Sequence, residues 1–196
     1  MTMGVIGVIK ANKYYLLIST LLITAGIIAG AAVPQGGALS EDPLFKDLMQ
    51  YVQFYQPYEP LTVLFLLAKN SIAAALAFLF APILLLAPVG VLLLNGFLLG
   101  MVGSGLAAEL SPIVAVGAFA PHGIFEIPAL IFACAAGLRF GIASFRKLIS
   151  FFEHKKYSLY TQFMEAWGLF ILSLMLFLVA AIMETYVTPF VLGYLY

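Results

Sequence analysis

Charge is what this 196-residue chain has least of: Lys, Arg, Asp and Glu together make up 9% of it, against about 25% in a soluble globular domain. With 64% hydrophobic residues, the chain cannot cover a core of its own with polar surface, and a water-soluble fold is excluded. The nine basic residues are matched by nine acidic ones and form no basic face outside one loop, so nucleic acid is not an expected partner. A single cysteine, Cys134, excludes an internal disulfide and reads as a small buried apolar residue. No period of about 20–50 residues repeats, which argues against a solenoid. Nor does the proline-flanked pattern at 121–128 have a second copy, as matched broken helices of an inverted-repeat transporter would require. What remains is an integral membrane protein, all-α, folded as one polytopic helix bundle over residues 1–196.

Five apolar stretches have the length that a hydrocarbon core of ~30 Å demands. They are expected at 14–33, 62–82, 88–107, 113–137 and 165–187. The first exceeds the roughly 7–15 apolar residues of a signal peptide, despite small residues at Ala29-Gly30-Ala31-Ala32, and is read as a retained helix. Between the first two spans, Leu44, Leu48, Tyr51, Val52 and Tyr55 fall on one helical face, which predicts an extracytoplasmic amphipathic segment over 40–56. Residues 139–160 carry Arg139, Arg146, Lys147, Lys155 and Lys156 around Phe145, Leu148, Ile149 and Phe152, which predicts a basic amphipathic segment at the anionic membrane surface. With the N-terminus inside, seven of the nine basic residues fall on the cytoplasmic side, and the positive-inside rule favours that orientation, the C-terminus lying outside. Gly96 and Gly100, like Gly26 with Gly30 and Gly137 with Gly141, make small-residue faces for close helix packing, and these faces would also permit a homodimer.

One stretch departs from the apolar background. Pro121-His122-Gly123-Ile124-Phe125-Glu126-Ile127-Pro128 places an imidazole and a carboxylate inside the fourth span, where a charged side chain costs roughly 2.5–3.5 kcal/mol at the helix centre. Its two prolines remove two backbone donors, and a proline-broken fourth helix is expected. His122 and Glu126, at i and i+4, face the same way. Counted from the span ends, Asn70, Asn95, His122, Glu126 and Glu184 lie in the outer half of the bilayer or at its midplane. They are expected to meet in a polar pocket, with the two glutamates held by His122 or a cation rather than by bulk water.

At these residues the chain resembles the stage II sporulation protein M family of membrane proteins. The resemblance rests on Asn70, Asn95-Gly96 with Gly100, Pro121-His122-Gly123 with Glu126 and Pro128-Ala129, and Glu184 before Thr188-Pro189, and covers about residues 60–190. In spore-forming bacteria it implies engulfment, with peptidoglycan-degrading enzymes held together at the septal membrane. The family also occurs in prokaryotes that do not sporulate.

Three readings of the pocket follow. The first is a membrane scaffold whose loops bind other membrane or envelope proteins, the polar groups fixing helix register. The second is a divalent metal such as zinc on His122, Glu126 and Glu184, with Asn70 and Asn95 orienting the ligands, serving structure or metal-dependent hydrolysis. The third is transport of ions or handling of lipid. No His-Glu-xx-His motif is present, and no residue is assigned a catalytic role.

Overall fold

The computed structural model describes residues 4–34, 56–152 and 157–195. The expected amphipathic segment 40–56 lies outside the described residues but for Gln56, and so do Lys155 and Lys156. The described elements are α1 (Val5–Ala11), α2 (Lys13–Ala31), α3 (Pro60–Phe80), α4 (Leu86–Glu109), α5 (Pro112–Phe152), α6 (Leu159–Ile182), a π-turn (Met183–Val187) and α7 (Thr188–Leu195). Among the described residues there is no strand, and five helical rods are long and apolar enough to cross a membrane: α2, α3, α4, α5 and the continuous Leu159–Leu195. The all-α membrane bundle expected from composition is the fold observed.

Local chemistry sets the ends. Pro60 opens α3 at a position where a missing N–H costs nothing. Before α5, the Ser111 hydroxyl accepts the Val114 N–H at 3.2 Å, and before α6 the Ser158 hydroxyl accepts from Thr161, each satisfying one orphan donor. The α3–α4 connection is residues 81–85, at Pro82 as expected, while Pro88 lies within the first turn of α4.

Small residues then decide which helices touch. Along α2 the buried positions are Ser19, Ile23, Gly26 and Gly30; along α4 they include Leu92, Gly96 and Gly100. A Cβ added at Gly26 would come within 2.6 Å of the Leu93 carbonyl oxygen, and Gly30, Gly96 and Gly100 likewise abut backbone atoms of the facing helix. The two backbones are thus in contact through their glycines. Gly137 and Gly141 do the same for α5 against Ala77 and Ala81 at the end of α3. These faces are therefore occupied within the chain, which removes the argument for a homodimer built on them.

Two expectations about the fourth span are corrected. The helix does not break at its prolines: α5 runs uninterrupted for 41 residues with Pro121 and Pro128 inside it, as membrane helices tolerate proline where neighbouring groups can re-satisfy the freed backbone. It also passes directly through the start of the expected surface segment 139–160, ending at Phe152. Arg139 is no headgroup-facing residue. It is 6% exposed and donates to the Ala11 carbonyl at 2.7 Å, Asn12 Oδ1 at 3.2 Å, Gln162 Oε1 at 2.9 Å and the Glu165 carboxylate. Asn12, at the corner between α1 and α2, donates in turn to the Val8 and Glu165 carbonyls. Beyond this knot Phe145, Leu148, Ile149 and Phe152 are exposed together, the shared face the sequence predicts. Next to the knot, Phe78 stacks on Phe140 and Phe170 at 5.3 and 4.9 Å between ring centres, and Cys134 is fully buried.

Gly100→Leu drives a branched side chain into the α2 backbone and is expected to lower the thermal midpoint in detergent strongly, overpacking costing about 1–3 kcal/mol or more. Gly90→Leu, where an added Cβ meets nothing within 4 Å, is the control and should leave the midpoint unchanged.

Candidate metal centre

The polar groups reach one level from three rods. From Pro60 to Asn70 and from Pro112 to His122 is ten residues, and from Glu184 to Leu195 eleven. At 1.5 Å per residue each lies about 15 Å from its helix end. Chain alternation puts these three ends on the same side of the bundle.

A proline shapes the segment that carries Glu184. Pro189 has no N–H, so the carbonyl four residues earlier, that of Thr185, loses its helical donor. The Tyr58 N–H supplies the missing bond at 3.1 Å. To reach it, Tyr58 adopts a φ of 66°, a left-handed conformation uncommon outside glycine, and its ring packs against Tyr186 with centroids 6.4 Å apart. The backbone widens into the π-turn Met183–Val187, and the Thr188 hydroxyl donates to the Met183 carbonyl five residues back at 3.4 Å. π-turns inside helices recur at functional sites because one extra residue re-aims a side chain. Here the turn presents Glu184 to α5.

His122, Glu126 and Glu184 come together as expected, one ligand atom from each lying within 4.8 Å of the others. His122 Nε2 stands 3.8 Å from Glu126 Oε2. That is too long for a hydrogen bond, but close to the ~3.4 Å between two ligands held about 2.1 Å from a tetrahedral zinc. The other ring nitrogen, Nδ1, is 3.3 Å from the Thr188 hydroxyl. Such a partner orients the ring and leaves Nε2 for the centre. Asn70 donates to Glu126 Oε1 at 3.1 Å, fixing one carboxylate oxygen and leaving the other, Oε2, towards His122. The side chains of His122 and Glu126 are 13% and 34% exposed, so the cluster is half-open.

Asn95 does not join it. Its side chain is exposed and donates to the Val91 carbonyl of its own helix at 2.8 Å. Two participants were not expected from sequence. Thr188, counted only as part of a motif, contacts the imidazole. Lys69, inside the second span, lies within electrostatic reach of Glu184, as does Glu126; its position beside Asn70 was the signal available.

With this geometry in place, comparison with known proteins bears on it directly. The family model described as Stage II sporulation protein M matches residues 19–189, a span that contains every residue of the cluster. An uncharacterized protein of Methanocaldococcus jannaschii is 26% identical over 191 residues, covering 93% of this chain and 98% of the relative. No solved structure matches.

Asn70→Leu removes the donor to Glu126 and should destabilise the protein by about 1–3 kcal/mol, the cost of leaving a shielded acceptor unsatisfied. Asn95→Leu, on an exposed face, should be neutral or stabilising in the same thermal measurement. Equal losses for both would contradict the placement of Asn95 outside the cluster.

Proposed function

The chain belongs to the stage II sporulation protein M family, and from that premise we propose that it is a multi-pass membrane scaffold whose outer polar pocket holds one divalent metal ion, zinc by ligand type, on His122, Glu126 and Glu184. The observation that carries this reading is the convergence of one imidazole and two carboxylates, from α5 and from the π-turn of the last rod, within 4.8 Å. Imidazole nitrogen and carboxylate oxygen are the ligands borderline zinc accepts. A metal there neutralises two carboxylates that otherwise sit beside each other in a water-poor layer. It also ties α5 to the last rod, holding the outer half of the bundle in one register and presenting its loops to other membrane or envelope proteins.

The half-open cluster supports a second reading. Three protein ligands leave zinc a fourth position for water, the arrangement of hydrolytic centres. On that reading the protein is an intramembrane metal-dependent hydrolase, and the same three residues hold the ion. The proposed setting is the cell membrane, with the N-terminus cytoplasmic and the C-terminus outside.

Two measurements check these points. Elemental analysis of protein purified without chelator should find about one zinc per chain, the stoichiometry of a single four-coordinate site, and His122→Ala and Glu184→Gln should each lose it; wild type without metal would remove the metal reading. For topology, in a Cys134→Ala background, Lys46→Cys should react with a membrane-impermeant maleimide on intact cells, and Lys147→Cys only after permeabilisation. The reverse pattern would invert the orientation.

A further inference from the structure

Asn95 is the polar residue of the spans that the metal centre leaves unused. An asparagine inside a membrane helix is expected to hydrogen-bond to another helix, and Asn70 does so through Glu126. Asn95 finds no such helix in its own chain. It lies nine residues from the start of α4 at Leu86 and fourteen from its end at Glu109, which is near the middle of the bilayer at about 1.5 Å per residue. Its side chain is exposed, and one amide N–H donates to the Val91 carbonyl of the same helix at 2.8 Å. That carbonyl is the one an α-helix already pairs with the Asn95 main-chain N–H. A carboxamide carries a second N–H and an oxygen acceptor, and among the described residues neither has a partner. Hydrocarbon supplies none either.

The residues around Asn95 show what kind of neighbour fits. Val91, Asn95, Leu98 and Val102 follow one another at spacings of four, three and four residues, the stripe by which two helices pack side by side in a left-handed pair. Asn95 is exposed and the other three are half-buried, so the chain itself closes off none of the four. Leu94, on the flank away from Gly96, is 60% exposed. The side of α4 that meets α2 is a different one: Gly96 and Gly100 stand about 100° and 140° round the helix from Asn95.

We propose that a second copy of this chain docks on that stripe, the two Asn95 carboxamides pairing across a twofold axis normal to the membrane. The amide selects the occupant. It donates and accepts at once, so two asparagines can exchange two N–H···O bonds, whereas a carboxylate only accepts and an ammonium only donates. Copies inserted the same way present α4 in parallel, and on the axis of a twofold pair each residue meets its own copy. A single asparagine within an apolar seam fixes both the register and the two-helix state. The dimer is independent of the metal centre and uses a face other than that of the glycine contacts.

The test uses the full-length protein in phosphatidylcholine liposomes. Donor- and acceptor-labelled copies should show energy transfer that rises with the protein-to-lipid ratio. Asn95→Leu should weaken the association about tenfold, the scale of an interhelical hydrogen-bonded pair, and Asn95→Gln should restore most of it. Nothing within one chain depends on the pair, so the Asn95→Leu monomer keeps its thermal midpoint in dilute detergent. In a Cys134→Ala background, Leu98→Cys should cross-link two copies on oxidation, and Ile72→Cys, exposed on α3, should not. Absence of energy transfer in wild type, or association unchanged in Asn95→Leu, overturns the proposal. So does a dimer that cross-links through Ile72→Cys and not through Leu98→Cys. Cross-linking of Leu98→Cys in native membranes to a different protein alone would assign the stripe to that protein and overturn the self-pairing.

Discussion

Inside a bilayer a polar group that loses its partner has no water to turn to, and the half of this bundle that carries Glu184 is arranged by that constraint. Pro189 leaves the Thr185 carbonyl without a helical donor, and the main chain of Tyr58 crosses from the segment before α3 to supply one. The widened turn that results carries Glu184. The adjoining hydroxyl, Thr188, touches His122, and Glu126 on the same face of α5 is held by Asn70 from α3. One absent N–H thus accounts for a backbone crossing, a π-turn and the aim of a carboxylate.

The same constraint operates at the other end of α5. From His122 to Arg139 is seventeen residues, roughly 25 Å along the helix, and there Arg139 gathers carbonyl, amide and carboxylate oxygens from the α1–α2 corner and from α6. A buried pair of this kind adds little net stability over an apolar replacement, but removing one partner alone costs about 3–5 kcal/mol. Its effect is positional. It fixes the rotation of α5, and with it the direction in which His122 and Glu126 point. Between the two polar layers the bundle is held by glycine contacts and aromatic stacking, which tolerate little change in helix spacing.

Much of this was legible in the sequence. Composition gave the membrane class, and helix length gave five crossings. The i, i+4 spacing put His122 and Glu126 on one face, and counting depth from span ends brought Asn70 and Glu184 to their level. Depth says nothing about rotation, which is why Asn95 was misplaced: Gly96 and Gly100 settle which side of α4 meets α2, and Asn95 stands one residue away from that side. Arg139 was misassigned to the surface because its partners, Asn12, Gln162 and Glu165, are distant in sequence and none of them marks a buried arginine by itself. The helix through Pro121 and Pro128 was missed because proline's local cost was weighed without the packing that offsets it. The π-turn could have been anticipated from Thr188-Pro189, had the orphaned carbonyl been followed to its donor.

The central claim is that His122, Glu126 and Glu184 surround a common point between α5 and the π-turn of the last rod. Crystals of the zinc-loaded protein measured on both sides of the zinc absorption edge test it most directly. The account predicts one anomalous peak about 2.0–2.2 Å from His122 Nε2 and from an oxygen of each glutamate. A Glu184 side chain turned out to lipid, with no peak between it and the imidazole, would contradict it.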